Sequence, residues 1–192
     1  RVHSVTALVV DELTELGYKN LNEQYFDTIK LALPKGLSQE DVKLHAEMQD
    51  INLRYFEEGE IGLSFDETLT EYKVHELLAV FSMLAGRAKV YMIDDMPEKN
   101  TIDKKFLRTS KFLEHPTFKD YHSETELMRY ITRLGRKDIS LAHSMISLGS
   151  CTMKLNAASE LLPLGLSGLQ NIHPFAPEYQ VQGYTELISQ LG

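Results

Sequence analysis

Six residues between positions 150 and 173 bring hydroxyl, thiol, amine, amide and imidazole groups close together in the chain: Ser150, Cys151, Thr152, Lys154, Asn156 and His173. The first five belong to the run Leu148-Gly149-Ser150-Cys151-Thr152-Met153-Lys154-Leu155-Asn156, in which almost every residue is small or can donate a hydrogen bond. Gly149 lets backbone approach a ligand without a Cβ in the way. Such a run suits an active-site wall, and it equally suits a turn around a buried thiol. Cys151 can be a nucleophile with His143 or His173 as its base, or a small buried apolar residue. The Ser150 and Thr152 hydroxyls can face a ligand or satisfy turn backbone, and Lys154 can be a ligand donor or a surface amine. His173 sits between Ile172 and Pro174, on a loop that Pro174 and Pro177 stiffen. It can serve an active site or make a structural hydrogen bond at a subunit contact. No pair among the seven histidines has metal-ligand spacing with a nearby carboxylate.

The elements that must position these groups are legible upstream. Val5, Leu8, Val9, Leu13 and Leu16 fall at helical spacing before Gly17. Ile29, Leu31 and Leu33 alternate with polar or small neighbours until Pro34-Lys35-Gly36, which predicts a strand. Ser38 with Asp41, flanked by Leu37 and Val42, predicts a capped helix to about Met48. Ile51, Leu53 and Tyr55, then Ile61, Leu63 and Phe65, predict a hairpin whose turn contains Gly59. Thr70 caps a further helix carrying Val74, Leu77, Leu78, Phe81 and Leu84, ending at Gly86.

This order predicts an α+β unit with a small three-stranded, mainly antiparallel sheet covered by helices. Its predicted core is Ile29, Leu31, Leu53, Leu63, Leu77, Leu78 and Phe81. Periodicity fades between Asp94 and Lys105, where the domain boundary is expected. Beyond it, Ser123 and Glu126 predict a full capping box for a helix through Leu134, with Gly135 ending it. The rest reads as an extended arm with a short helix, Ala157 to Leu162, stopped by Pro163, and a last helix from about Gly183.

Composition narrows the function classes. The 192 residues are 43% hydrophobic and 25% charged, values of an ordinary globular protein with a real core. A net charge of −8 with scattered basic residues argues against a phosphate-tracking nucleic-acid binder. One cysteine leaves no intrachain disulfide framework and no cysteine-based zinc site, so a reducing compartment is the default. No apolar run reaches the roughly 18 to 20 residues that span a bilayer.

Several irregular strings carry a resemblance: Tyr25-Phe26-Asp27-Thr28, Phe65-Asp66-Glu67-Thr68, Arg108-Thr109-Ser110, Tyr121-His122-Ser123-Glu124-Thr125 and Gln182-Gly183-Tyr184. Together with the 148–156 run, Ser140 to Ile146 and Asn171-Ile172-His173-Pro174-Phe175, they resemble the glycine cleavage system P-protein family across the chain. The resemblance implies a pyridoxal phosphate enzyme that decarboxylates glycine and passes the aminomethyl group to a lipoyl-bearing H-protein. It also implies a homo-oligomer or paired-half assembly, in a bacterial cytoplasm or a mitochondrial matrix. In such enzymes an N-terminal arm lies over the cofactor, which assigns Thr152, Asn156 and His173 to catalysis and Ser150, Cys151 and Lys154 to cofactor binding. Residues 1–95 correspond to the small C-terminal domain of the first half, and 96–192 to a linker and the arm of the second. The family's cofactor lysine lies later than this stretch, and Arg1 is not an initiator methionine, so an internal piece inactive by itself is expected. Without the resemblance, the same residues fit a non-enzymatic α+β module that binds a partner.

Overall fold

The architecture is that of a computed structural model, which describes residues 1–87, 99–137 and 157–192. These divide into two compact units, Arg1–Arg108 and Thr109–Gly192.

The first unit is α+β. Helix α1 (Val2–Glu15) ends where Gly17, at φ +97°, turns the chain into strand β1 (Lys19–Asn20). Strand β2 (Thr28–Ala32) follows, then helix α2 (Gln39–Glu47), strands β3 (Arg54–Tyr55) and β4 (Ile61–Ser64), and helix α3 (Glu71–Leu84). The strands form one fully antiparallel sheet in the order β1-β2-β4-β3. Ile29 pairs with Leu63 and Leu31 with Ile61, which puts all four side chains on one face. That face joins Val5, Val9 and Leu13 of α1, Val42 of α2, and Val74, Leu77, Leu78 and Phe81 of α3 in a single core. Tyr18 completes it, buried with its hydroxyl donating to the Phe81 carbonyl at 3.1 Å and its ring edge-on to Phe81 at 5.1 Å.

The helix starts follow local chemistry. Ser38 and Asp41 form a complete capping box, the Ser38 hydroxyl accepting from the Asp41 N–H and the Asp41 carboxylate accepting from the Ser38 N–H at 3.1 Å. Thr70 caps α3 by accepting from the Lys73 N–H at 3.3 Å.

The sheet has four strands where alternation predicts three. The extra one, β1, is two residues long, too short to show a period. Its neighbourhood is held by asparagine instead: Leu21 N–H donates to the Lys30 carbonyl at 2.9 Å, and Lys30 N–H donates to the Asn22 side chain at 2.6 Å. Leu53, expected in the core, is half-buried at its edge, because β3 pairs with β4 only over Arg54 and Tyr55.

The second unit is built differently. Among its described residues the α-helices are α4 (Thr117–Asp120), α5 (Glu124–Gly135), α6 (Ser167–Gln170) and α7 (Gln182–Leu191). None of its described residues is buried. Ser123 caps α5 by accepting from the Glu126 N–H at 3.3 Å, but the Glu126 carboxylate takes the Ser123 hydroxyl, at 2.9 Å, where a full box would take the backbone N–H. Gly135 is the last helical residue, and α5 closes with the Arg136 N–H on the Thr132 carbonyl and the Lys137 N–H on the Leu134 carbonyl. The expected helix at Ala157 to Leu162 is a 3-10 helix over Ala158–Gly165, and Pro163 lies inside it. A 3-10 turn tolerates this because proline removes one donor while its carbonyl still accepts, here from the Leu166 N–H at 3.0 Å.

Candidate functional site

Of the six candidate residues, the structure describes His173. Ser150, Cys151, Thr152, Lys154 and Asn156 lie outside the described residues, as does His143. The His173 ring is held by its own loop: the Phe175 N–H donates to Nδ1 at 3.0 Å, and the Ala176 N–H donates to the His173 carbonyl at 2.9 Å. A backbone N–H can only donate, so Nδ1 is the bare nitrogen of the neutral ring and Nε2 carries the proton. The exposed imidazole, 5.7 Å from the Phe175 ring, therefore offers a donor from a loop whose turn is fixed by backbone bonds.

Several of the strings that carry the resemblance are structural devices. In Tyr25-Phe26-Asp27-Thr28, the Phe26 carbonyl accepts from His3, the Asp27 carbonyl from the Phe65 N–H at 3.0 Å, and Thr28 pairs with Ser64. Asp66 accepts from the Thr68 N–H at 2.9 Å and its hydroxyl at 2.6 Å, and this hydroxyl and backbone donation holds its carboxyl below the usual carboxylate range. Tyr184 donates its hydroxyl to the Leu169 carbonyl, tying α7 to α6.

Tyr121 and Tyr130 stack with ring centres 4.1 Å apart, and the Arg133 guanidinium lies over both while donating to the Tyr121 hydroxyl at 2.5 Å. The helix predicted from Ser123 through Leu134 holds Tyr130 and Arg133, but its capping signal does not reveal this group. The spacing of Tyr130 and Arg133 was the available signal. Beside it, Met128, Arg129, Thr132, Arg136 and Lys137 continue one side of α5 as a shallow basic concavity. Among the described residues no group of three or more His, Cys, Asp and Glu is placed to hold a metal ion.

The described chain thus defines a small antiparallel α+β unit followed by a coreless helical stretch presenting a fixed histidine. The family model for the glycine cleavage system P-protein matches residues 1–81. Over 191 residues the chain is 50% identical to a glycine dehydrogenase (decarboxylating) of Bacteroides thetaiotaomicron, a match that takes in all of this chain and 20% of that protein. It is 44% identical to the protein of the same description from Thermosynechococcus vestitus and 41% to the mitochondrial one of Gallus gallus, again over the whole chain and 19% of each relative. This chain belongs to the glycine cleavage system P-protein family. It spans about a fifth of the length of the curated relatives it matches.

Proposed function

We propose that the chain is a stretch of a pyridoxal-phosphate-dependent glycine decarboxylase that hands the remaining aminomethyl group to a lipoyl-bearing H-protein. The observation that carries this reading is identity of 41% to 50% along the whole chain to proteins described as glycine dehydrogenase (decarboxylating). Residues 1–95 are read as the small domain of the first half of the parent protein, and 96–192 as a linker and the arm of the second half.

The residues of this chain fit a place beside an anionic substrate and cofactor. His173 offers Nε2–H from a loop locked by its own backbone, and Ser150, Thr152, Lys154 and Asn156 are donors, the chemistry that carboxylate and phosphate oxygens need. The cofactor supplies the electron sink that lets glycine lose carbon dioxide. Thr152 and Asn156 would hold the glycine carboxylate in the orientation from which it leaves, with His173 as a further donor. Ser150, Cys151 and Lys154 would line the cofactor side.

A second observation supports the arm reading. Residues 157–192 contain Glu160, Glu178 and Glu186 and no lysine or arginine, yet expose Leu161, Leu162, Leu164, Leu166, Phe175 and Leu191, with Leu162 at 74% and Phe175 at 83%. Charge depletion with clustered exposed apolar side chains is the composition of a surface that is covered in an assembly. The match takes in 20% of the relative, and the remaining four-fifths of such a polypeptide is the proposed cover. No helix among the described residues is long and apolar enough to cross a membrane, and a bacterial cytoplasm or mitochondrial matrix is the proposed location.

The test uses a polypeptide of the relatives' length containing this stretch. Supplied with pyridoxal phosphate and lipoylated H-protein, it should exchange the carboxyl carbon of glycine with labelled bicarbonate. Absence of exchange with a folded, cofactor-loaded protein would contradict the proposal and favour a binding module.

A further inference from the structure

His3 is the one histidine among the described residues that is buried, with 7% exposure, and both of its ring nitrogens bond to backbone. Nδ1 lies 3.0 Å from the Phe26 carbonyl oxygen, which can only accept, so Nδ1 carries a proton. Nε2 lies 3.0 Å from the Thr101 backbone N–H, which can only donate, so Nε2 must be bare. The two bonds together demand the neutral ring. The ring is stacked on Phe26 at 5.6 Å and lies 5.8 Å from Tyr25, so it has little room to turn away.

The bond to Thr101 is part of a short strap. Lys99 donates its backbone N–H to the Ser4 hydroxyl at 3.2 Å, and its ammonium pairs with Asp11, so residues 99–101 are fastened along α1 at three points. His3 is the deepest of the three. The strap is the chain that continues, through a turn capped by Asp103, to Arg108 and the start of the next unit.

We propose that His3 is a proton-operated latch that holds the 99–101 strap on α1 while neutral and releases it when protonated. A proton taken from solvent by Nε2 turns the only acceptor for the Thr101 N–H into a second donor. The Thr101 hydroxyl, 3.1 Å from Nε2, can rotate to accept the new N–H, but the Thr101 backbone N–H then has no partner in the ring. The charged groups around the latch do not compensate. Among the described residues, no carboxylate bonds to the ring: Asp27 is turned to the Thr28 hydroxyl, Asp11 to Lys99, and Glu71 to Arg1, while the Tyr25 ring lies 5.8 Å away. The sign follows from proton count. The closed latch needs a bare Nε2 to accept the Thr101 N–H, so closure is favoured as pH rises and weakened as it falls.

Amide hydrogen exchange on the 192-residue chain tests this, with the Thr101 and Lys99 amides followed from about pH 8 to pH 5 and corrected for intrinsic exchange. Protection of both should fall in acid by tenfold or more and recover on return, while the amides of β2 and β4 stay protected. In His3→Gln, which does not titrate there, protection should be flat with pH. In Thr101→Val, which keeps the ring and the backbone bond but removes the compensating hydroxyl, the acid loss should be steeper or begin at higher pH, and this variant serves if His3→Gln does not fold. Acid-independent protection of Thr101 in the wild type, or the same loss in His3→Gln, would overturn the proposal.

Discussion

The ring of Phe56 lies against the backbone of Gly62 on the outer face of the sheet, so close that a Cβ at position 62 would sit 3.0 Å from Phe56 Cε2. Arg54 Cβ, on the paired strand, would be 3.2 Å from it. Lys30, the other register partner of Gly62, places its ammonium 4.5 Å from the Phe56 ring centre and 3.4 Å from the Glu60 carboxylate. A glycine inside a strand normally weakens it, but here it makes the space in which this cation-flanked ring packs. Gly62→Ala is expected to destabilise the first unit by about 1–3 kcal/mol, read from the midpoint of urea unfolding. In a Phe56→Ala background the same substitution should cost less, since the nearest atom is gone.

Tyr18→Phe keeps the ring contact with Phe81 and deletes the hydroxyl that donates to the Phe81 carbonyl. That carbonyl still accepts the Ala85 N–H of its own helix, so the loss should be near 1 kcal/mol, the usual net value of one hydrogen bond. Leu78→Ala, at the fully buried centre, should cost about 2–5 kcal/mol. Equilibrium denaturation of both variants should give this order, Leu78→Ala well above Tyr18→Phe.

The capping box of α2 makes part of the stability pH-dependent. The Ser38 hydroxyl and the Ser38 backbone N–H hold the Asp41 carboxyl below its ordinary range. A carboxyl whose folded pKa is depressed contributes stability above its unfolded value and loses it as pH falls through the folded one. Asp41→Asn should therefore lower stability at neutral pH and match the wild type in strong acid, below the carboxylate range. Thermal melts at neutral pH and in acid check the convergence. Ser38→Ala should cost about 0.5–2 kcal/mol at neutral pH.

These devices show where the sequence is readable. The Ser38-Asp41 box, the Thr70 cap and the alternation of Ile29 with Leu31 are local patterns, and each appears in the fold at the expected residues. Strand β1 was not readable, because two residues have no period and the chain beside it is held by Asn22 accepting from the Lys30 N–H at 2.6 Å, a contact between residues apart in sequence. The Tyr121-Tyr130-Arg133 stack joins a loop residue to a helix, and the His3 latch joins residues 98 apart in the chain. Only the Tyr130 and Arg133 spacing on α5 is a local pattern; the reach to Tyr121 and the His3 contact have none. For the candidate site, the residue types pointed to ligand donors, and of these His173 alone is described; its loop-locked Nδ1 could not be read from the flanking prolines.

The arm should behave as a surface that lacks its cover. None of the residues 157–192 whose exposure is described is buried, and backbone order with so little burial leaves much of an entropy cost of roughly 1–2 kcal/mol per residue unopposed. Limited proteolysis of the 192-residue chain should cut first within this stretch and leave the sheet unit intact. In a polypeptide of the relatives' length the same bonds should resist cleavage. Equal resistance in both would contradict the covered-arm reading.

Substrate-side donors in this stretch are the centre of the functional account, and one measurement reaches them directly: bicarbonate exchange into the glycine carboxyl by the longer polypeptide, at saturating H-protein, for Thr152→Ala and Asn156→Ala alongside the absorbance of bound cofactor. Removing one donor aimed at developing charge slows such reactions by about a hundredfold to a thousandfold. The account predicts a loss of that order in each variant with the cofactor fully retained. Wild-type exchange in both would reduce the 148–156 run to a turn, and cofactor lost in step with activity would place these residues on the cofactor side instead.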